Sequence, residues 1–141
     1  MADYIPRKGE VITLSFDPQS GHEQRGRRPA LVVSNDLFNK HTGLCIACPI
    51  TNSRRDYPFH VAVEAGQGVT GFVMVEQVKS IDFRSRRAKR LGRASAKMLD
   101  EVLSILDAIV DEEEVKKSIT AFQRLAQGNY LLGSALTKVG P

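Results

Sequence analysis

Arginine and lysine in runs are the first residues here that could do chemistry. Arg84, Arg86, Arg87, Lys89, Arg90, Arg93 and Lys97 follow one another with no acidic residue between them, and Arg25, Arg27 and Arg28 form a second cluster. Clustered cations suit a polyanion such as nucleic acid, because phosphates release counterions when neutralised. A solvated surface is the ordinary alternative for such runs. The chain carries a net charge of +4 and a pI near 9.3, with Asp111, Glu112, Glu113 and Glu114 offsetting the basic runs.

The other reactive types are sparse. Cys45 and Cys48 have a CxxC spacing, but they lie in Leu44-Cys45-Ile46-Ala47-Cys48-Pro49-Ile50, which reads as a strand. Residues three apart on a strand point to opposite faces, so both are expected to pack rather than to bind zinc or exchange disulfides. Carboxylates are not clustered as in two-metal nucleases, and no His/Cys ligand spacing appears, so neither a metal nor a cofactor is expected. His41 and His60 read as structural or solvated, with His60 facing out of Phe59-His60-Val61. Tyr57, behind Arg54 and Arg55, is the aromatic best placed to stack on a base. Phe16 and Phe59 fall at alternating apolar positions and are expected in the core.

The elements that must position these groups are short strands followed by helices. Val11–Phe16 alternates, with Ile12, Leu14 and Phe16 on one face, whereas Ala30–Val33 is apolar on both. Leu44–Pro49 and Phe59–Val63 continue the pattern. Gly71–Val75 runs into Glu76–Ile81, a length that requires a bend or bulge. Five or six strands with Gly and Pro punctuation predict a small curved barrel in a mainly β protein. Ser95 is an N-cap for a helix whose apolar stripe is Met98, Val102, Ile105 or Leu106, and Ile109. A second amphipathic stretch carries Val115, Ile119, Phe122 and Leu125, and ends at Gly128-Asn129.

At 141 residues the chain fits one compact domain. No apolar run is long enough to span a bilayer, and Met1–Lys8 lacks the apolar stretch of a signal peptide, so a cytoplasmic protein without membrane contact is expected.

Three ordered segments resemble the MazF/PemK toxin family. Pro6-Arg7-Lys8-Gly9-Glu10-Val11-Ile12 leads to Phe16-Asp17-Pro18, Gly21-His22-Glu23-Gln24 and Arg28-Pro29-Ala30-Leu31-Val32. Cys48-Pro49-Ile50-Thr51 follows, with Tyr57-Pro58-Phe59 behind it. Gly71-Phe72-Val73-Met74-Val75-Glu76-Gln77-Val78-Lys79-Ser80-Ile81-Asp82 is the third. The resemblance implies an SH3-like barrel with attached helices over residues 1–110, usually a homodimer, and leaves 111–141 as a C-terminal helical extension of unknown role. It implies a toxin of a type II toxin–antitoxin system that cleaves single-stranded RNA at short motifs and is controlled by a cognate antitoxin.

The resemblance also assigns residues. Arg28 matches the family's catalytic arginine and Thr51 its catalytic threonine. Gln24, Arg25, Arg27, Ser53, Arg54, Tyr57, Gln77, Lys79, Arg84 and Arg86 are expected to contact RNA. The chemistry is coherent without a metal, because the ribose 2′-OH is an internal nucleophile. Arg28 can donate two hydrogen bonds to phosphate oxygens, and Thr51 one more to the same developing charge. Arginine is too weak an acid to serve easily as a base, so Glu23, Glu76 and His22 stand as the acid/base candidates. Two rivals remain: a gyrase-binding toxin of the CcdB type on the same scaffold, and a non-enzymatic RNA-binding barrel. The first typically uses a C-terminal tryptophan, and this chain has none.

Overall fold

A computed structural model describes residues 3–15, 26–53, 57–64 and 66–111. Seven strands and two α-helices follow in the order β1 (Glu10–Ser15), β2 (Arg27–Val32), α1 (Asp36–Thr42), β3 (Leu44–Thr51), β4 (His60–Ala62), β5 (Phe72–Met74), β6 (Lys79–Asp82), β7 (Lys89–Arg93) and α2 (Ala96–Val110). A 3-10 turn, Val75–Gln77, separates β5 from β6. This turn is the bend that the length of the Gly71–Ile81 segment required.

All pairings are antiparallel, in the order β4-β5-β3-β2-β1-β7, with β6 also on β3. The sheet is not closed by these pairings, so the expected barrel is an approximate description of a seven-stranded sheet. β3 is its pivot. One edge pairs with β2; the other pairs first with β6 through Leu44–Ala47 and then with β5 through Ile50 and Thr51.

The alternation of side chains divides the core into two layers. Val11, Leu31, Cys48, Ile50, Val61 and Val73 form one with Met98, Val102 and Ile105 of α2. Ile12, Leu14, Ala30, Val32, Cys45, Ala47 and Ile81 form the other, on which Tyr4 and Ile5 pack. Cys45 and Cys48 thus lie in different layers as buried free thiols, matching their reading as packing residues.

Ser95 caps α2 by accepting from the Met98 N–H. The buried stripe is Met98, Val102, Ile105 and Ala108, so Ile109 corrects the expectation: it is 44% exposed. From Ile105 the stripe steps by three rather than four, and the small Ala108 takes the last inward position. No helix among the described residues is long and apolar enough to cross a membrane. The second amphipathic stretch, Val115 to Leu125, lies outside the described residues.

Candidate active site

Thr51 ends β3, where the strand gives way to a turn. Its Oγ1 accepts the Ser53 N–H at 3.1 Å, so the hydroxyl proton is directed elsewhere and can be donated. Gly71 permits this geometry. It has φ +126°, and a Cβ placed there would lie 2.2 Å from the Thr51 carbonyl oxygen. Only glycine lets the start of β5 approach Thr51 this closely.

Arg28 lies on the neighbouring strand. The β2–β3 register pairs Ala30 with Pro49, Leu31 with Cys48 and Val32 with Ala47. The pairing ends at Ala30 and Pro49; by alternation Arg28 and Thr51, each two residues further on, fall on the face that those two share.

Two depressions draw part of their lining from this end of β3. The smaller, about 160 Å³, is lined by Arg28, Lys79 and Arg86 above Leu14, Ala30 and Ile81. Its charged lining is three cations over an apolar floor. The larger, about 610 Å³, is lined by Thr51, Ser53, Tyr57, His60, Met74, Glu76 and Gln77. Pro49 borders the first and Thr51 the second; Lys79 and Gln77 stand likewise on the two sides of the link into β6.

The larger depression holds a histidine that the sequence reading had pointed to solvent. His60 is only 8% exposed. Its Nε2 lies 3.1 Å from Glu76 Oε2, and the Tyr57 ring meets it edge-on at 5.0 Å. The alternation itself held, since Val61 enters the core and His60 takes the other face. That face is the cavity wall, roofed by Tyr57, Met74 and Glu76. Register brings the group together, because His60 pairs with Met74 and Glu76 follows two residues later. Sequence separation of sixteen residues carries no such signal. His60 Nδ1 and Glu76 Oε1 are buried without a hydrogen-bond partner among the described residues, so the pair has unused capacity at the cavity.

The remaining expected residues divide three ways. Ser53, Tyr57 and Gln77 line the larger depression, and Lys79 and Arg86 the smaller. Arg84 sits apart on the β6–β7 turn, with Nε 3.5 Å from Asp3 Oδ2. Arg27 lines neither depression; its guanidinium is bonded to Thr13 and to the Arg87 carbonyl. His22, Glu23, Gln24, Arg25 and Arg54 lie outside the described residues. No group of three or more His, Cys, Asp or Glu able to hold a metal occurs among the described residues.

Residues 7–110 match the family of PemK-like, MazF-like toxins of type II toxin–antitoxin systems. The chain belongs to that family. It is 36% identical over 107 residues to the endoribonuclease toxin MazF of Escherichia coli K12, covering 76% of this chain and 96% of the relative. It is 41% identical over 109 residues to the E. coli K12 endoribonuclease toxin ChpB, covering 74% and 93%. Its fold is similar to crystal structures from Deinococcus radiodurans: MazF, with 47% identity, a TM-score of 0.68 and coverage of 77% and 98%, and MazE–MazF, with 42% identity and a TM-score of 0.68 over 77% and 97%. The family match and these relatives favour an endoribonuclease toxin over the gyrase-binding and purely RNA-binding alternatives.

Proposed function

We propose that this toxin cleaves single-stranded RNA at short sequence motifs, using the ribose 2′-OH beside the scissile phosphate as nucleophile and no metal. The observation that carries this reading is the pairing of Ala30 in β2 with Pro49 in β3, which supports Arg28 and Thr51 on one face, the first lining a cationic depression and the second a larger polar one. The cationic depression takes the phosphate. Arg28 donates to its oxygens, and Thr51 adds its hydroxyl as negative charge grows in the transition state.

Glu76 takes the 2′-OH proton as the 2′-oxygen bonds to phosphorus; the P–O5′ bond breaks, and the departing 5′-oxygen is protonated from solvent water. Among the described residues, Glu76 is the acid/base candidate that shares a cavity with Thr51, and His60 holds one of its oxygens while the other has no partner there. Tyr57 offers a stacking face and Gln77 an amide for reading a neighbouring base. The donor set supports metal-free chemistry, because the candidate groups are one arginine, one threonine and one carboxylate–imidazole pair. The protein works in the cytoplasm as a homodimer, and a cognate antitoxin restrains it. The MazE–MazF assemblies of similar chains support the last point.

The test is cleavage of RNA in EDTA with analysis of the new ends. A 2′,3′-cyclic phosphate and a 5′-hydroxyl are expected. RNA with 2′-deoxyribose at the scissile nucleotide should bind and remain intact; cutting it would remove the 2′-OH from the mechanism.

A further inference from the structure

Arg27 and Arg28 are adjacent in sequence but occupy opposite faces of β2. Arg28 lines the cationic depression. Arg27 instead reaches across β1. Its Nε donates to Thr13 Oγ1 at 3.1 Å, and its Nη2 lies 2.7 Å from that oxygen, 3.0 Å from the Thr13 carbonyl and 2.7 Å from the Arg87 carbonyl. One guanidinium therefore joins β2, β1 and the turn between β6 and β7.

That turn has an uncommon backbone. Arg87 has φ 52°, the only positive φ of a non-glycine residue among those described. A side chain is disfavoured in this left-handed region, so the surrounding bonds must hold it there. Two of them act on consecutive carbonyls: the Ser15 N–H donates to the Arg86 carbonyl at 2.7 Å, and Arg27 donates to that of Arg87. Arg86, the residue between Ser85 and this left-handed position, lines the depression with Arg28 and Lys79. Pinning the Arg87 carbonyl fixes the direction in which the chain presents Arg86.

We propose that Arg27 is a positioning residue for Arg86. It does not touch RNA; it holds the turn that sends Arg86 into the phosphate site. The proposal rests on the RNA-cleaving reading above, and it replaces the expectation that Arg27 itself contacts RNA. Arg27 Nη2 reaches both the Thr13 hydroxyl and the Arg87 carbonyl, and Nε adds a second donor that fixes the guanidinium on the hydroxyl.

A double-mutant cycle under single-turnover conditions tests it, with Arg27→Met, Arg86→Ala and the pair, each checked by thermal unfolding. Thr13→Val, which removes only the hydroxyl acceptor, is the milder second probe. Misplacing one phosphate ligand should slow cleavage about ten- to a hundredfold. Arg27→Met is expected to show a loss in that range, and Thr13→Val a smaller loss in the same direction. Arg86→Ala should slow cleavage at least as much as Arg27→Met, and the double variant no more than Arg86→Ala alone. Losses that multiply in the double variant would identify Arg27 as an independent RNA contact and overturn the proposal. A wild-type rate for Arg27→Met would do the same. An unimpaired Arg86→Ala beside an inactive Arg28→Ala would overturn this proposal alone. Failure of the unsubstituted protein to cut RNA would overturn both it and the reading beneath it.

Discussion

In the proposed reaction Thr51 and Arg28 act as hydrogen-bond donors to the phosphate. The Ser53 N–H occupies an acceptor site on Thr51 Oγ1, leaving the proton for a phosphate oxygen. Arg28→Ala and Thr51→Ala should each lower single-turnover cleavage by about two to three orders of magnitude with unchanged unfolding midpoints. A near-normal rate in either variant would take that residue out of the site. Glu76→Gln keeps the shape and a hydrogen-bonding oxygen but removes the base, so the rate should fall about a hundredfold or more. A normal rate for Glu76→Gln would take Glu76 out of the proton transfer and leave Glu23 and His22 as the candidates. Arg28 and Thr51 were named through the resemblance, and Glu76 as one of three acid/base candidates, because their motifs are contiguous in sequence. His60 was not: strand alternation gives the face a residue takes, but not whether that face meets solvent or a cavity.

At the scale of elements, side-chain periodicity was a good guide where strands have two distinct faces. Cys45 and Cys48 show it, since their three-residue spacing alone separates the two core layers. Burial raises both thiols from the usual value of 9.0 to about 12. Because the folded state holds these protons more tightly than the unfolded chain, their contribution is complete below about pH 9 and is lost as pH rises towards about 12. Urea denaturation should therefore show stability falling over that window more steeply than in a Cys45→Val/Cys48→Val variant; parallel curves would contradict it. Other elements were hidden. β7 reads in sequence as part of a basic run, because Lys89, Arg90, Leu91 and Arg93 are all exposed and nothing alternates. α1 spans only seven residues, held by the Asn35 cap and a left-handed Gly43, which is too short for a periodic signal. The approach of β5 to β3 depends on Gly71. Gly71→Ala would drive its methyl into the Thr51 carbonyl, costing about 2 kcal/mol or more in urea denaturation. It should also slow cleavage through displacement of Thr51; normal stability and rate would refute the close approach.

On the scale of the whole molecule, the family domain and α2 end together. The match stops at residue 110, and α2 stops at Val110, with the Asp111 N–H donating to the Asp107 carbonyl. Residues 112–141 lie outside the described structure, so their role must be argued from sequence. Val115, Ile119, Phe122 and Leu125 recur at helical spacing, and such a stripe needs an apolar partner. Ile109 and Val110 at the end of α2 are exposed and offer one. An inhibitory segment would have to mimic RNA phosphates. Here Glu112, Glu113 and Glu114 are balanced by Lys116, Lys117, Arg124 and Lys138, so the segment carries no net negative charge to match a cationic depression. Among the described residues, moreover, both candidate depressions are lined by positions between 14 and 86. Truncation after Asp111 should therefore lower solubility or thermal stability while leaving the cleavage rate per folded molecule unchanged. Urea denaturation beside single-turnover cleavage separates the two effects. A truncated protein that stays folded and cuts RNA much faster than the full chain would show instead that residues 112–141 occupy the site.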